Sequence, residues 1–302
     1  MEPLICYVIL HYKNIKDTIK CVNSLINTAS KDSFFIIVDN GSGDGSGQDL
    51  KKEYLMVKQC KVLLLEKNVG FSKGNNAGYT YAKERFNPEF IVITNNDVIF
   101  YQKDFEKEIK KLYSSTAFDV LGPDIYVPRH NDHQSPLFAN AITIEELQKE
   151  LKEYEYYEKN PNRFDSRLKI HAFKNMLCSN SIIISYLYAK FRGNDYLDYR
   201  KQYENVGLQG ACLIFSSNFI NKEKKAFFPE PFLYEEEVFL YYRCKALGYK
   251  MVYSPCVAIR HEEAAAFTNA NKKNIDRLKF MLRHHVIARE MLLDYLNNEV
   301  EM

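Results

Sequence analysis

An α/β fold built around a mostly parallel sheet is predicted by three features of this 302-residue chain. Apolar runs at 5–10, 34–38, 61–65, 90–93 and 120–121 recur through the first part of the sequence. They are continuous and rich in β-branched and aromatic residues, as strands covered on both faces are. Between the first two runs, Ile15, Ile19, Val22, Leu25 and Ile26 repeat at helical spacing, and a second helical pattern follows Lys73. Alternation of this kind makes βαβ units with right-handed crossovers.

The remaining elements follow in order. A charged, Tyr-rich helix is expected over 143–159, opened by the capping signal Thr143-Ile144-Glu145-Glu146 and broken by Pro161. Residues 160–205 mix basic residues and tyrosines with an apolar patch at 182–187. A strand is expected at 208–215, a helix through 237–247, and short strands at 250–253 and 257–259. The tail over 269–297 reads as a helix with Leu278, Met281, Leu282, Val286, Met291 and Leu292 near one stripe.

The chain is 46% hydrophobic and 26% charged, as soluble globular proteins are. Its 41 Lys and Arg against 39 Asp and Glu leave a formal charge of +2, so bulk charge gives no reason to expect a nucleic-acid partner. The seven cysteines include no CxxC pair, and their odd number argues against a closed disulfide framework. A reducing cytoplasm is the expected setting. No apolar run approaches the roughly 20 residues that span a bilayer.

Three polar clusters follow strands of the first half, where open α/β sheets bind ligands. The first is VDNGSGDGS at 38–46, a Gly-rich turn whose Asp39 could accept from a nucleobase or ribose. The second is NVGFSKGNNAGY at 68–79, which opens a helix and so offers free N–H groups to an anion. It is neither GxGxxG nor a Walker loop. The third, TNNDV at 94–98, ends a buried strand in three polar side chains, which suits either a turn or a ligand site.

Together with VILHYKN at 8–14 and FLYEEEVFLYYRCKALGYKMVYSPCVAIRH at 232–261, these motifs resemble glycosyltransferase family 2 in content and order. The resemblance covers most of the chain outside 137–205 and is nearest to the rhamnosyltransferase-like and capsular-polysaccharide branch. It implies the GT-A fold, with a helical insertion and a C-terminal helical extension. The expected division is a nucleotide-sugar half at 1–136, the insertion at 137–206, an acceptor and catalytic half at 207–265, and the extension at 266–302.

Residue roles follow by position. Asn95-Asn96-Asp97 stands for the family's DxD-type motif, with Asp97 as the metal ligand and Asn95 and Asn96 toward ribose or bound water. His261 falls where the family places a second metal ligand. Mg²⁺ or Mn²⁺ is the implied cofactor, because such ions need only one or two protein ligands when phosphates complete the shell. Glu237 matches the family's general base; Glu236 beside it is the competing candidate, since Glu replaces the usual Asp here. Tyr12 would stack on the donor base and Asp39 would accept from it. Asn68, Gly70, Lys73 and Asn75 lie where the family closes over the nucleotide, and Arg243 is a weaker candidate. His133-Gln134-Ser135-Pro136 resembles an HQNP element of the capsular branch.

The implied activity is an inverting transfer of a sugar from a UDP- or dTDP-sugar to a hydroxyl of a growing surface polysaccharide, the acceptor being a glycan or lipid-linked glycan. A sugar-nucleotide pyrophosphorylase is the rival enzyme, but it would carry a Gly-rich basic loop where this chain has His11-Tyr12-Lys13-Asn14. A binding or scaffold protein without turnover is the non-enzyme alternative, favoured by the thinned metal motif. A peripheral visit to the inner membrane face is suggested by Arg163, Arg167, Lys169, Lys174, Lys190, Arg192 and Arg200 among tyrosines. A small helical subdomain with cations facing water is the alternative for that segment.

Overall fold

The computed structural model describes residues 4–129, 131–164, 197–263 and 275–300. The strands are β1 (Ile5–His11), β2 (Phe34–Asp39), β3 (Cys60–Leu64), β4 (Phe90–Asn95), β5 (Val98–Ile99), β6 (Val120–Val127), β7 (Asp132–His133), β8 (Tyr203–Glu204), β9 (Cys212–Ser216) and β10 (Met251–His261). The helices among these residues are α1 (Ile15–Thr28), α2 (Ser46–Glu53), α3 (Phe71–Phe86), α4 (Phe105–Thr116), α5 (Ile144–Lys159), α6 (Ser217–Lys222), α7 (Glu236–Leu247) and α8 (Ile275–Val300). The central sheet has the order β3-β2-β1-β4-β9-β6-β10-β5, with β7 beside β6 and β8 beside β10. Pairs β3–β2, β2–β1, β1–β4 and β6–β10 are parallel, and β9 runs antiparallel to both β4 and β6.

Successive strand residues alternate between two cores. Ile5, Tyr7, Ile9, Phe35 and Ile37 pack with Val22 and Leu25 of α1 and Ile109 of α4. Cys6, Val8, Ile36 and Val38 pack with Tyr79 of α3 and Leu240 of α7. Both faces are covered, which is why the strands read as unbroken apolar runs. A third cluster joins Leu147 of α5, Phe239 of α7 and Leu292 and Leu296 of α8. Thr143 caps α5 reciprocally with Glu146, as its sequence predicts.

Several elements differ from the sequence reading. Strand β6 continues to Val127 through Gly122 and Pro123, and 250–253 and 257–259 are one strand, β10, whose register shifts between Ser254 and Ala258 around Pro255. That irregularity accommodates the missing proline N–H. Residues 208–211 lead into β9 as a loop and not as strand. Helices α2 and α4 were not expected; α2 buries only Ser46, Gly47 and Leu50, too little for a periodic signal. In the 163–200 segment, Arg163 and Arg200 are exposed, while Arg167, Lys169, Lys174, Lys190, Arg192 and the 182–187 patch lie outside the described residues. No helix among the described residues is long and apolar enough to cross a membrane.

Helix α3 lies close on the sheet because two glycines face it. A Cβ on Gly78 would meet Val8 Cγ1 at 2.3 Å and Val38 Cγ2 at 2.8 Å. Gly78→Ala gains about 1 kcal/mol in helix propensity but overpacks a rigid contact, which costs roughly 1–3 kcal/mol. The substitution should lower the urea midpoint; a raised midpoint would contradict this packing.

Candidate active site

The sheet order brings the ends of β1, β2, β4, β6 and β10 and the start of β9 to one edge. His11, Asp39, Asn95 and His261 are the last residues of their strands, and Asp97 lies two beyond β4. After Asp97 the chain reverses into β5, whose Val98 pairs with His261. The three polar residues therefore form a turn at the sheet edge. Glu262 N–H donates to the Asp97 carbonyl (2.9 Å), fixing the turn against β10.

Asp97 and His261 are both buried. Gln134 Nε2 donates to Glu263 (2.6 Å), so its Oε1 accepts from His261 Nδ1 (2.8 Å). This leaves His261 Nε2 facing Asp97 Oδ1 at 3.1 Å. With a proton on Nε2 the two atoms form a hydrogen bond; without one they are two adjacent donor atoms for a cation. The 3.1 Å separation matches two adjacent ligands of an octahedral ion about 2.1 Å from each. Among the described residues no set of three or more His, Cys, Asp or Glu is grouped so as to hold a metal ion.

A chain of hydrogen bonds runs along the edge from half-buried Asn96 to exposed Asp44. Ser46 Oγ donates to Asp44 (2.5 Å) and so accepts from His11 Nε2 (2.9 Å). His11 Nδ1 then accepts from the Thr18 hydroxyl (2.7 Å), and Thr18 accepts from Asn96 Nδ2 (2.9 Å). Four bonds of one polarity thus tie the NND turn to the Gly-rich loop. Burial lowers the His11 pKa, against the pull of Asp39 and Asp44, which suits a neutral ring in this chain.

Asp39 is buried, and its Oδ1 accepts from the Ser42 N–H (3.1 Å) and hydroxyl (2.5 Å). Asn40 clamps the next loop, donating to Asn68 (3.2 Å) and the Gly70 carbonyl (3.0 Å) and accepting from Val69 (3.0 Å). Gly70 has φ +89°, and a Cβ there would strike the Phe232 carbonyl at 2.5 Å, so only glycine lets the two loops touch. Tyr12 is 42% exposed, with the Lys13 ammonium 5.0 Å from its ring centroid, and Lys73 is exposed on the first turn of α3. Asn75 is fully buried, with neither amide atom hydrogen-bonded among the described residues, and is not open to a ligand in this conformation.

The acidic element precedes and opens α7. Tyr234 and Glu235 both have left-handed backbone, at φ 73° and 63°. Gly210 N–H donates to Glu237 Oε1 (3.1 Å). Gly210 adjoins Ala211, whose carbonyl accepts from Asn95 N–H (2.9 Å) and the Thr94 hydroxyl (3.1 Å). Glu237 is thereby anchored beside the strand end that carries Asp97. Glu236 is buried instead, bonded to backbone N–H groups including that of Tyr234. Burial raises the pKa of both carboxyls, and for Glu236 the neighbouring Glu237 adds to the rise.

Arg243 is spoken for structurally: it pairs with Glu223 and donates to the Lys225 carbonyl (3.1 Å). A cavity of about 390 Å³ lined by Tyr241, Cys244 and Tyr249 opens beside the start of β10, at the opposite end of the sheet from these residues. Sequence reasoning missed His11 as a connector and Gln134 as the partner of His261. The HQSP motif was the available signal for the second.

A carboxyl whose pKa folding raises stabilises the fold only while protonated; the contribution is complete below the ordinary carboxylate range and is lost as pH rises through the raised value. Glu236→Gln holds the neutral form. Its melting temperature should match the parent near pH 4 and exceed it at about pH 8. A variant less stable than the parent at both would contradict a raised carboxyl at 236.

Similarity to known proteins is consistent with this geometry. TarS residues 1–349 from S. aureus shares the architecture, with a TM-score of 0.50 at 15% identity over 92% of this chain and 65% of that one. The chain is 27% identical over 122 residues to the glycosyltransferase GlyG of Streptococcus pneumoniae, covering 40% of this chain and 39% of that protein. It is 25% identical over 118 residues to the hexosyltransferase Agl10 of Haloferax volcanii, covering 39% and 35%. An uncharacterized glycosyltransferase of Methanocaldococcus jannaschii is 24% identical over 200 residues, 65% of this chain and 63% of that one. The chain thus spans less than two thirds of the length of these relatives. A family model described as glycosyl transferase family 2 matches residues 6–184, more than half of the sequence. The chain belongs to glycosyl transferase family 2 and adopts its GT-A fold.

Proposed function

We propose that this chain is an inverting glycosyltransferase that moves a sugar from a UDP- or dTDP-sugar to a hydroxyl of a growing surface glycan. The observation that carries the reading is the meeting of Glu237 and the Asp97–His261 pair at one sheet edge, beside the clamped loops of β2 and β3. A binding protein without turnover has no need of a raised-pKa carboxyl anchored beside a metal-ligand pair.

Asp97 and His261 would hold a divalent cation, which supplies positive charge to a departing diphosphate when bound. Tyr12 offers a ring face to the base, and the second oxygen of Asp39 is left by the Ser42 bonds to accept from it. The N-terminus of α3, with Lys73, attracts the diphosphate. Glu237 removes the acceptor proton as the hydroxyl oxygen attacks the anomeric carbon, so the sugar inverts in one displacement. The Gly210 N–H orients that carboxylate, and its raised pKa makes it a stronger base than an exposed glutamate. Acceptors presented on lipid carriers would bring the enzyme to the inner membrane face.

A screen of UDP- and dTDP-sugars by released nucleotide, with and without Mn²⁺ or Mg²⁺, tests the reading. Turnover should require metal and vanish in Asp97→Ala. Glu237→Gln should reduce it roughly 10²–10⁴-fold with little change in donor affinity. Turnover unaffected by chelator would remove the metal role, and a full-rate Glu237→Gln with a dead Glu236→Gln would move the base by one residue.

A further inference from the structure

The acidic element is gripped from outside, by a helix far along the chain. Arg289 of α8 is buried, and its Nη1 lies 2.7 Å from Glu235 Oε1. Its Nε and Nη2 donate to Glu150 of α5 (3.3 and 3.1 Å), and Nη1 donates to His285 Nδ1 (3.0 Å). Its guanidinium also sits 4.0 Å over the Tyr154 ring. His285 in turn stacks on Tyr234 at 3.7 Å with the rings 9° apart. One residue earlier on the same helix, His284 stacks on Phe232 at 4.8 Å.

These contacts fall on the two residues whose backbone is left-handed, Tyr234 and Glu235. Such conformations cost energy in non-glycine residues and persist only where the surroundings over-determine them. Helix α8 supplies that determination through a stacked ring on one residue and a buried cation on the other. The result sets where α7 begins, and so where Glu236 and Glu237 point.

We propose that Arg289 is a positioning residue for catalysis, holding Glu235 so that the next two glutamates are correctly placed, with no cation paired to either of them among the described residues. Three consecutive carboxylates share this corner, and Arg289 is paired with the first. The titratable groups facing it are Glu150 and Tyr154 on α5, His285 on α8 and Glu235 at the start of α7. His285 is held neutral, its pKa lowered to about 4 by burial and by Arg289. It therefore acts as a stacking ring and acceptor and not as a second cation. Burial raises the Glu235 carboxyl and Arg289 opposes that rise.

Glu235 repels the Glu236 carboxylate, and Arg289 is paired with Glu235, so the two partners of the grip carry opposite charges next to the pair. Removing Arg289 takes away a cation, while removing the Glu235 charge takes away an anion and frees the cation. A tie that merely held the fold together would not distinguish them. The test is NMR titration of the protein with ¹³C-labelled glutamate carboxyls, the two signals being assigned by their loss in Glu236→Gln and Glu237→Gln. Both transitions should move up by roughly one pH unit in Arg289→Met. They should return toward the parent in Arg289→Lys and move down in Glu235→Gln. No movement, or movement in the same direction in Arg289→Met and Glu235→Gln, overturns the proposal. If Arg289→Met does not fold, Glu235→Gln still decides by its direction.

The titration needs no substrate, so it stands or falls separately from the glycosyltransferase reading, on which only the turnover arm rests. There, Arg289→Met should lower kcat about tenfold or more while affinity for UDP, measured by calorimetry, stays unchanged. A parallel loss of UDP affinity would mark a general loss of structure and contradict a positioning role.

Discussion

The active edge depends on the direction of β9, which enters the sheet between β4 and β6 and runs against both. A parallel strand would start at the far end of the sheet. Because β9 is antiparallel, Cys212 opposes Thr94, and the loop before it passes the end of β4. Gly210 then offers its N–H to Glu237, and Ala211 its carbonyl to Asn95 and Thr94. One strand reversal joins the half that carries Asp39 and Asp97 to the half that carries Glu237.

Ends of buried strands are costly places for polar groups, and this molecule satisfies most of them with one another. The chain from Asn96 through Thr18, His11 and Ser46 to Asp44 links these groups in series, and Thr18 and Asn96 also reach the Asn14 carbonyl. Asn40 does the same for the 68–70 loop. His261 Nε2 meets Asp97 at the same edge, and burial raises the pKa of Glu236 and Glu237 although both accept backbone hydrogen bonds. Among the described residues Ser72, Asn75, Ser135 and Ser216 keep buried side-chain polar atoms without a partner.

Much of this was legible in the sequence, for a physical reason. Unbroken apolar runs mark strands covered on both faces, and ligands bind beyond the carboxyl ends of such strands, so the polar clusters around Asp39 and Asp97 stood out, while His261 was singled out only by the family resemblance. Glu237 was placed by motif alone, and its bond to Gly210 supplies the geometric reason to prefer it over Glu236. The direction of β9 was not legible, since five buried residues in a row pair equally well either way. Nor was the docking of α8, whose Arg289 and His285 read as ordinary polar residues until the helix meets Glu235 and Tyr234. Asn75 shows the limit of motif reading: it sits in the right loop but is sealed from solvent.

The central claim is that Asp97 and His261 hold one cation at the edge where Glu237 waits. Crystals grown with UDP and Mn²⁺, with diffraction recorded at the manganese edge, test it most directly. The account predicts an anomalous peak about 2.1 Å from both Asp97 Oδ1 and His261 Nε2, bridged to the diphosphate. Nucleotide bound at this edge with no manganese between those two side chains would contradict it.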